Sequence, residues 1–396
     1  MIRIANGCGF WGDSPLASKE LLEGASDIDY LTLEYLAELT LAILSGRSVQ
    51  YCADFLDVVR SLIPFRCKII TNAGGLDPVG LARECKKLVP DKKIGVISSQ
   101  GYVYLGAKPI VQALQMGADI VITGRVADPS LTVAPCLHHF GWTDWDRIAA
   151  ATVAGHLLEC GAQATGGMTT DWLQIEKPEA IGYPIVEMSE DGSFVLTKPN
   201  GSGGQVTLSG VKEQLLYEIA DPNKYLSPDA TVSFTSLALE QVGKDRVRVT
   251  GAKGDCPPDT FKEVLFRPAG YKVEAMLALY GRNCREKALK AGKSVIDRVR
   301  GSGYSLAQTR VETLGLGDVV PFGKYIDAME CVLRIAAFDP DPAGLQVLAK
   351  EIAPLVTRGP QGITGYATGR PKVRQAFWLA NNFVPCSQVR PNVEIL

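Results

Sequence analysis

Four short β-rich runs, Ile2–Ala5, Lys68–Thr71, Lys93–Ser98 and Asp119–Thr123, alternate with helical patterns through the first third of the chain. Strands separated by helix-length stretches cannot pair as hairpins. The alternation therefore predicts parallel strands joined by crossover helices, an α/β fold. Leu31–Leu44 (LTLEYLAELTLAIL) has apolar residues around most of a helical circumference, with Glu34 and Glu38 four apart, and reads as a largely buried helix. This mostly parallel α/β domain is expected to span residues 1–180. From 181 to 266 the texture changes to short strands with turn signals, Glu190-Asp191-Gly192 and Pro199-Asn200-Gly201, which predicts a smaller β-rich segment. Residues 267–396 return twice to strand, helix, strand. Tyr271–Tyr280, Cys284–Arg300 and Ser305–Thr313 form the first unit, and Met329–Phe338, Ala343–Leu355 and Gly362–Thr368 the second. Two such units in tandem suggest a ferredoxin-like, split βαβ α+β domain.

Composition narrows the partners. Lys and Arg total 41 against 43 Asp and Glu, a net charge of −2. No basic footprint for nucleic acid follows from that balance. No run of about 18 uncharged apolar residues exists, and the first residues lack a leader-like apolar region, so an intracellular, cytoplasmic protein with no membrane partner is expected. The ten cysteines include no Cys-x-x-Cys pair, and there are only three histidines, so no metal site built from Cys pairs or several histidines is expected, while a divalent metal joining Asp13 and Asp128 stays open.

Three times in the first domain a strand runs into a small-residue loop and then an acidic or hydroxyl residue before Pro. These are Asp13-Ser14-Pro15, Leu76-Asp77-Pro78 and Ala127-Asp128-Pro129. Ser14, Asp77 and Asp128 are expected N-caps, each followed by a Pro at the first helical position. The loops should lie at the carboxyl ends of parallel strands, the edge where open α/β sheets place ligands. If the helix starts converge, their N–H groups make a seat for a phosphate or carboxylate, and Arg125 adds a planar donor fork. The competing reading is ordinary capping of surface helices.

Beside these caps, Asn6, Asn72, Gly74, Gln100, Gly124, Arg125 and Asp128 are expected to bind substrate, and Asp13 to serve catalysis. The glycines let backbone approach a ligand closely. Neither G-x-G-x-x-G nor a Walker phosphate loop occurs, so no nucleotide cofactor is implied. A second candidate is Gly155–Gly167, where His156, Glu159 and Cys160 fall three and four residues apart on one helix edge. A carboxylate beside an imidazole tunes it for proton transfer, and a nearby thiol can be activated. Gly166, Gly203 and Gln361 lie in glycine-rich loops that are expected to cover a bound ligand; tight turns explain those loops equally well.

Several of these strings resemble the acyclic terpene utilisation (AtuA) family. They are Arg3-Ile4-Ala5-Asn6-Gly7 with Gly12-Asp13-Ser14, Asp29-Tyr30-Leu31, Thr123-Gly124-Arg125-Val126-Ala127-Asp128, Gly155–Gln163, Glu213–Glu218 and Gly359–Gly365. The likeness implies catabolism of acyclic terpenes and branched acyl-CoA esters, beside biotin carboxylases and enoyl-CoA hydratases. It carries no catalytic residue set. It also implies that longer members carry a further small C-terminal domain, which a small companion protein would supply here.

Residues and resemblance together lead to an enzyme acting on a carboxylated acyl-CoA or related organic acid by acid–base lyase or hydratase chemistry, with a coenzyme A thioester as substrate. In this reading Arg125 and the helix starts hold an anion while His156, Glu159 or Asp13 moves a proton. The alternatives are a thioester hydrolase using Cys160 or a water activated by His156, and a non-catalytic scaffold subunit. A homo-oligomer fits the size and charge.

Overall fold

The computed structural model describes residues 1–320, 325–365 and 369–396. The chain divides into two compact units, one made of residues 1–265 with 379–396 and the other of 266–378.

In the first unit the order is β1 (Ile2–Asn6), α1 (Ala17–Gly24), β2 (Tyr30–Leu33), α2 (Glu38–Ser45), α3 (Asp54–Leu62), β3 (Lys68–Thr71), α4 (Pro78–Leu88), β4 (Ile94–Ser98), α5 (Lys108–Gln115) and β5 (Ile120–Thr123). There follow α6 (Ser130–Phe140), α7 (Trp145–Leu158), β6 (Ile185–Met188), β7 (Phe194–Thr197), α8 (Leu208–Leu216), β8 (Tyr225–Leu226), β9 (Thr231–Ser233), β10 (Ala238–Gly243), β11 (Arg246–Thr250) and β12 (Lys253–Asp255). The chain then passes through β13 (Thr260–Tyr280), α9 (Cys284–Gly301), β14 (Gln308–Leu314), β15 (Glu330–Asp339), α10 (Pro342–Ile352), α11 (Leu355–Arg358), β16 (Ile363–Gly365) and β17 (Arg374–Pro385), and ends in β18 (Asn392–Ile395).

One ten-stranded mixed sheet, β10-β11-β7-β6-β1-β2-β3-β5-β4-β18, carries the first unit. Its centre, β1-β2-β3-β5-β4, is parallel, with Ile4 opposite Tyr30, Leu31 opposite Ile69, Ile70 opposite Val121 and Ile94 opposite Ile120. A parallel sheet is covered on both faces, so its strands are apolar on both sides. Accordingly β2, β5 and all but the last residue of β4 are wholly buried.

The sequence expectation for Leu31–Leu44 needs correction. Tyr30–Leu33 is a strand, and the helix starts only at Glu38. A short run buried on two faces has no period, so it mimics a buried helix.

Four of the strands of 181–266 extend the ten-stranded sheet, while β12, β9 and β8 pair as a three-stranded sheet of their own. β6 pairs antiparallel with the outer edge of β1, Ile4 opposite Val186, and β7, β11 and β10 extend the same sheet. At the other end β18 pairs antiparallel with β4, Asn392 opposite Ser98, so residues 379–396 belong with the first unit. Both additions cover edges that a parallel core would leave open.

From β3 the chain skips a place to β4 and turns back to β5, so right-handed crossovers put α4 and α5 on opposite faces. α1, α3 and α4 pack in one layer, and α5, α6 and α7 in another. The loops leaving β3 and β5 therefore diverge to opposite layers from adjacent strands, which is where such sheets open a crevice.

In the second unit α9 and α10 pack on one face of an antiparallel sheet ordered β14-β15-β13-β16, with β17 also pairing β13. The alternating buried residues of β13 and β15, among them Val273, Leu277, Leu333 and Ile335, make its core. Of the expected strand Gly362–Thr368, the part Ile363–Gly365 is a strand, and residues 366–368 lie outside the described residues.

Candidate functional site

Glu34 follows directly after β2, Asn72 directly after β3, and Arg125 stands two residues beyond β5. Their strands are in register, so all three emerge at one sheet edge beside the divergence of α4 and α6. Glycines bring the loops together: a Cβ on Gly74 would lie 2.5 Å from the Thr123 carbonyl oxygen and 2.6 Å from Pro78. A Cβ on Gly155 would meet Pro129 at 2.6 Å, so α7 delivers His156 against the loop that carries Asp128.

The Arg125 side chain is buried. Its Nη2 lies 2.8 Å from Asp128 Oδ1 and its Nη1 3.5 Å from Glu34 Oε1. Nη1 also donates to the Leu36 carbonyl, and the guanidinium lies 4.0 Å from the centre of the Tyr104 ring. Burial alone would weaken the base, but Asp128, Tyr104 and Glu34 outweigh it and hold the guanidinium charged. Arg125 thus spends its fork inside the protein, where the sequence suggested a ligand anion.

Glu34 Oε1 accepts from Asn72 Nδ2 and from the Leu36 amide at 3.1 Å, while Asn72 Oδ1 accepts from the Tyr35 amide at 2.7 Å. Asn72 is therefore the bracket that aims Glu34. Burial, and then the Asp128 charge, push the Glu34 pKa well up. Asp128 is pushed up to about 7, chiefly by burial and then by Glu159, Glu38 and Glu218, against the pull of Arg125. Its side chain keeps 31% of its surface accessible, more than Glu34, Arg125, His156 or Glu159. Glu38 lies the other way: burial would raise it, but hydrogen bonds from Tyr104 Oη, backbone and Lys262 hold it at about 2. Lys262 Nζ is 3.0 Å from the same Glu38 oxygen.

On the α7 side, His156 Nδ1 lies 3.0 Å from Glu159 Oε1 and Nε2 lies 2.9 Å from the Gln214 carbonyl oxygen. A carbonyl only accepts, so Nε2 carries a proton. The second nitrogen then either donates to a carboxylate or accepts from a protonated Glu159; one extra proton is shared by the pair. Burial opposes the imidazolium, but the hydrogen bond and charge of Glu159 prevail and the His156 pKa rises. Both nitrogens are engaged, so His156 orients and charges Glu159. Among the described residues, Glu34 Oε2, Glu159 Oε2, Gln214 Oε1 and Arg125 Nε are buried without a hydrogen-bond partner. Groups so placed are costly unless function retains them.

Most of the remaining expected residues are held by neighbouring backbone. Asp13 accepts from the Gly9 and Ser14 amides, each at 2.7 Å, and from Tyr183 Oη, so its oxygens are occupied. Asn6 ties the end of β1 to α7 through the Leu158 carbonyl at 2.6 Å and accepts from the Cys8 amide at 2.8 Å. A Cβ on Gly9 would lie 2.8 Å from the Cys160 carbonyl carbon, so this loop packs against the end of α7. The half-buried Cys160 thiol is pushed up to about 12 by burial and by Glu159, which keeps it protonated.

Gly124 packs on the Gly75 carbonyl. Gly166 lies against Gln205 and Gly204, and Gly203 against Lys177 and Ala180, so both close turns on neighbouring backbone. Gln100 is exposed, and Gln361 lies in the other unit, where its carbonyl accepts from Lys287.

The helix starts are also corrected in part. Asp77 caps α4 through the Gly80 amide with Pro78 in the first turn, but α1 begins at Ala17 without a side-chain cap, and Asp128 pairs with Arg125 instead of capping α6. Sequence reasoning assigned no role to Glu34, Glu38, Tyr104 or Tyr225. The last is half-buried and feels Glu159, Asp128, Glu218 and Tyr104. Their signal was weak: Glu34 stood inside a stretch that reads as helix. Among the described residues, no group of three His, Cys, Asp or Glu is placed to hold a metal ion.

Fold and site define an α/β protein with a largely buried cluster of carboxyl groups around one guanidinium, beside the point where its parallel sheet divides. The chain belongs to the acyclic terpene utilisation family, AtuA, whose family model matches residues 2–100 and 95–395. No curated protein and no solved structure matches it. No helix among the described residues is long and apolar enough to cross a membrane.

Proposed function

We propose that this chain is an enzyme of terpene-type or branched acyl-CoA and organic-acid catabolism that performs acid–base chemistry, of the hydratase or lyase kind, at the cluster of Glu34, Arg125, Asp128, His156 and Glu159. The observation that supports it most is the crowding of carboxyl groups around one buried guanidinium, with Asp128 titrating near neutral pH and still partly accessible. A carboxyl with that pKa takes and returns protons efficiently. Arg125 fixes Asp128, and Asn72 and His156 fix Glu34 and Glu159. Addition or loss of water across a carbon–carbon double bond needs one group to move a proton at carbon and another at oxygen. Asp128 serves as the first, and a protonated Glu34 as the second. The family's link to terpene utilisation points to the substrate class.

The thioester hydrolase reading loses its Cys160 route, since burial keeps that side chain a thiol, and its water route would need a His156 nitrogen that Glu159 and Gln214 already engage. The test is incubation of purified protein with branched 2-enoyl-CoA and 3-hydroxyacyl-CoA esters in D2O, read by mass spectrometry. Hydration, dehydration or deuterium uptake is expected, falling about 10²–10⁴-fold in Asp128→Asn. Absence of all three with wild-type protein, or full activity in Asp128→Asn, would overturn it.

A further inference from the structure

A second feature stands apart from the carboxyl cluster in charge and in chemistry. The unit of residues 266–378 contains a groove of about 1000 Å³, lined by the helix-free face of β13, β14 and β15, by helix-side residues of the same strands such as Val273 and Leu277, by Ile352, Ala353 and Val356 around the end of α10, and by residues of 369–374. The registers place three rows across that face: Gln308, Phe338 and Lys272; then Arg310, Ala336 and Glu274; then Glu312, Arg334 and Met276. Ala336 and the half-buried Phe338 both line the groove, and the tip of the Phe338 ring lies over Gly270.

The charges do not cancel. Arg334 pairs with Glu274 at 2.8 Å and with Glu312, and Arg310 reaches the same Glu312 at 2.9 Å, so two carboxylates answer two guanidiniums. Lys272, Arg370, Lys372 and Arg374 also line the groove, are exposed, and have no acidic partner within ion-pair distance among the described residues. Glu274 also feels Lys272 and Arg374, so six cations face two carboxylates here, in a chain whose net charge is −2.

We propose that this groove binds a small ring-bearing molecule carrying two or more phosphates, its ring against Phe338 and its phosphates on Lys272, Arg370, Lys372 and Arg374. Clustered Lys and Arg recognise phosphate by charge-assisted hydrogen bonds. An aromatic face offers a stacking platform for a planar ring. The volume suits a molecule of nucleotide size. The negative net charge of the chain opposes the long-range attraction on which a polymeric polyanion relies. The inference is independent of the acid–base reading, and its failure would leave that reading untouched.

The test is calorimetric titration of the full chain with adenosine 3′,5′-bisphosphate as probe at about 50 mM salt. Binding is expected, weakening as salt rises to about 200 mM. Adenosine should give no signal, and inorganic pyrophosphate should bind about tenfold more weakly. The double variant Lys272→Glu with Arg374→Glu, two exposed positions, should lose at least about tenfold in affinity. Phe338→Leu should bring the bisphosphate down to the level of pyrophosphate. Any of four results would overturn the proposal: no bisphosphate binding, unchanged affinity in the charge-reversed variant, equal affinity for pyrophosphate, or tighter binding of a twenty-residue oligothymidylate than of the bisphosphate.

Discussion

Glu34, Asp128 and His156 all hold a proton more tightly in the folded chain than an unfolded one would. A raised pKa stabilises the fold fully below the unfolded value and loses that contribution as pH rises through the folded value. For Asp128 the window runs from its ordinary 3.8 to about 7. Thermal stability should therefore decline as pH rises through this range. Asp128→Asn should make the decline shallower by about 1 kcal/mol per pH unit, measured by thermal melts in a buffer series. An unchanged slope would show that Asp128 titrates normally. The pH–rate profile of the wild type should likewise carry a limb near pH 7 that disappears in Asp128→Asn. Arg125 makes a different prediction. Replacing it by Met keeps much of the volume but leaves Asp128 without its counter-charge and the Leu36 carbonyl without its donor, at a cost of about 1–3 kcal/mol in chemical denaturation.

At the scale of elements, the site depends on how closely loops and helices approach. Gly74→Ala would push a methyl against the Thr123 carbonyl and Pro78, and Gly155→Ala would push one into Pro129. Each should destabilise by about 1–3 kcal/mol, although alanine favours helix at position 155. Gly155→Ala should also lower activity more than its melting temperature suggests, because it moves His156 and Glu159 with α7. Equal losses would argue that α7 plays no positioning part. At this scale the sequence was legible wherever pattern and length agreed, as at β1, β3, β4, β5 and α9. It was not legible at Tyr30–Leu33. Burial on both faces erases the alternation that marks a strand, so Glu34 was read as part of a helix and missed as part of the site.

For the whole molecule, β18 is the element whose role no local pattern announces. It covers the outer edge of β4, and Val393 and Ile395 pack on the core of the first unit. Truncation before Asn392 should cost about 2 kcal/mol of apolar burial and lower the melting temperature by a few degrees. The bared edge should raise light scattering on heating. Unchanged melting would mean that β18 adds nothing to the sheet. The sequence by itself determined the alternating α/β character, most parallel strands, the glycine-rich strand ends and the family, because these rest on periodicity and local composition. Only the tertiary structure decided that distant strands extend one sheet, that Arg125 answers Asp128 and Glu34 rather than standing free, and that His156 serves Glu159. Pairing partners and burial are set by long-range packing, and burial is what moves a carboxyl from its ordinary pKa to one that works near neutrality.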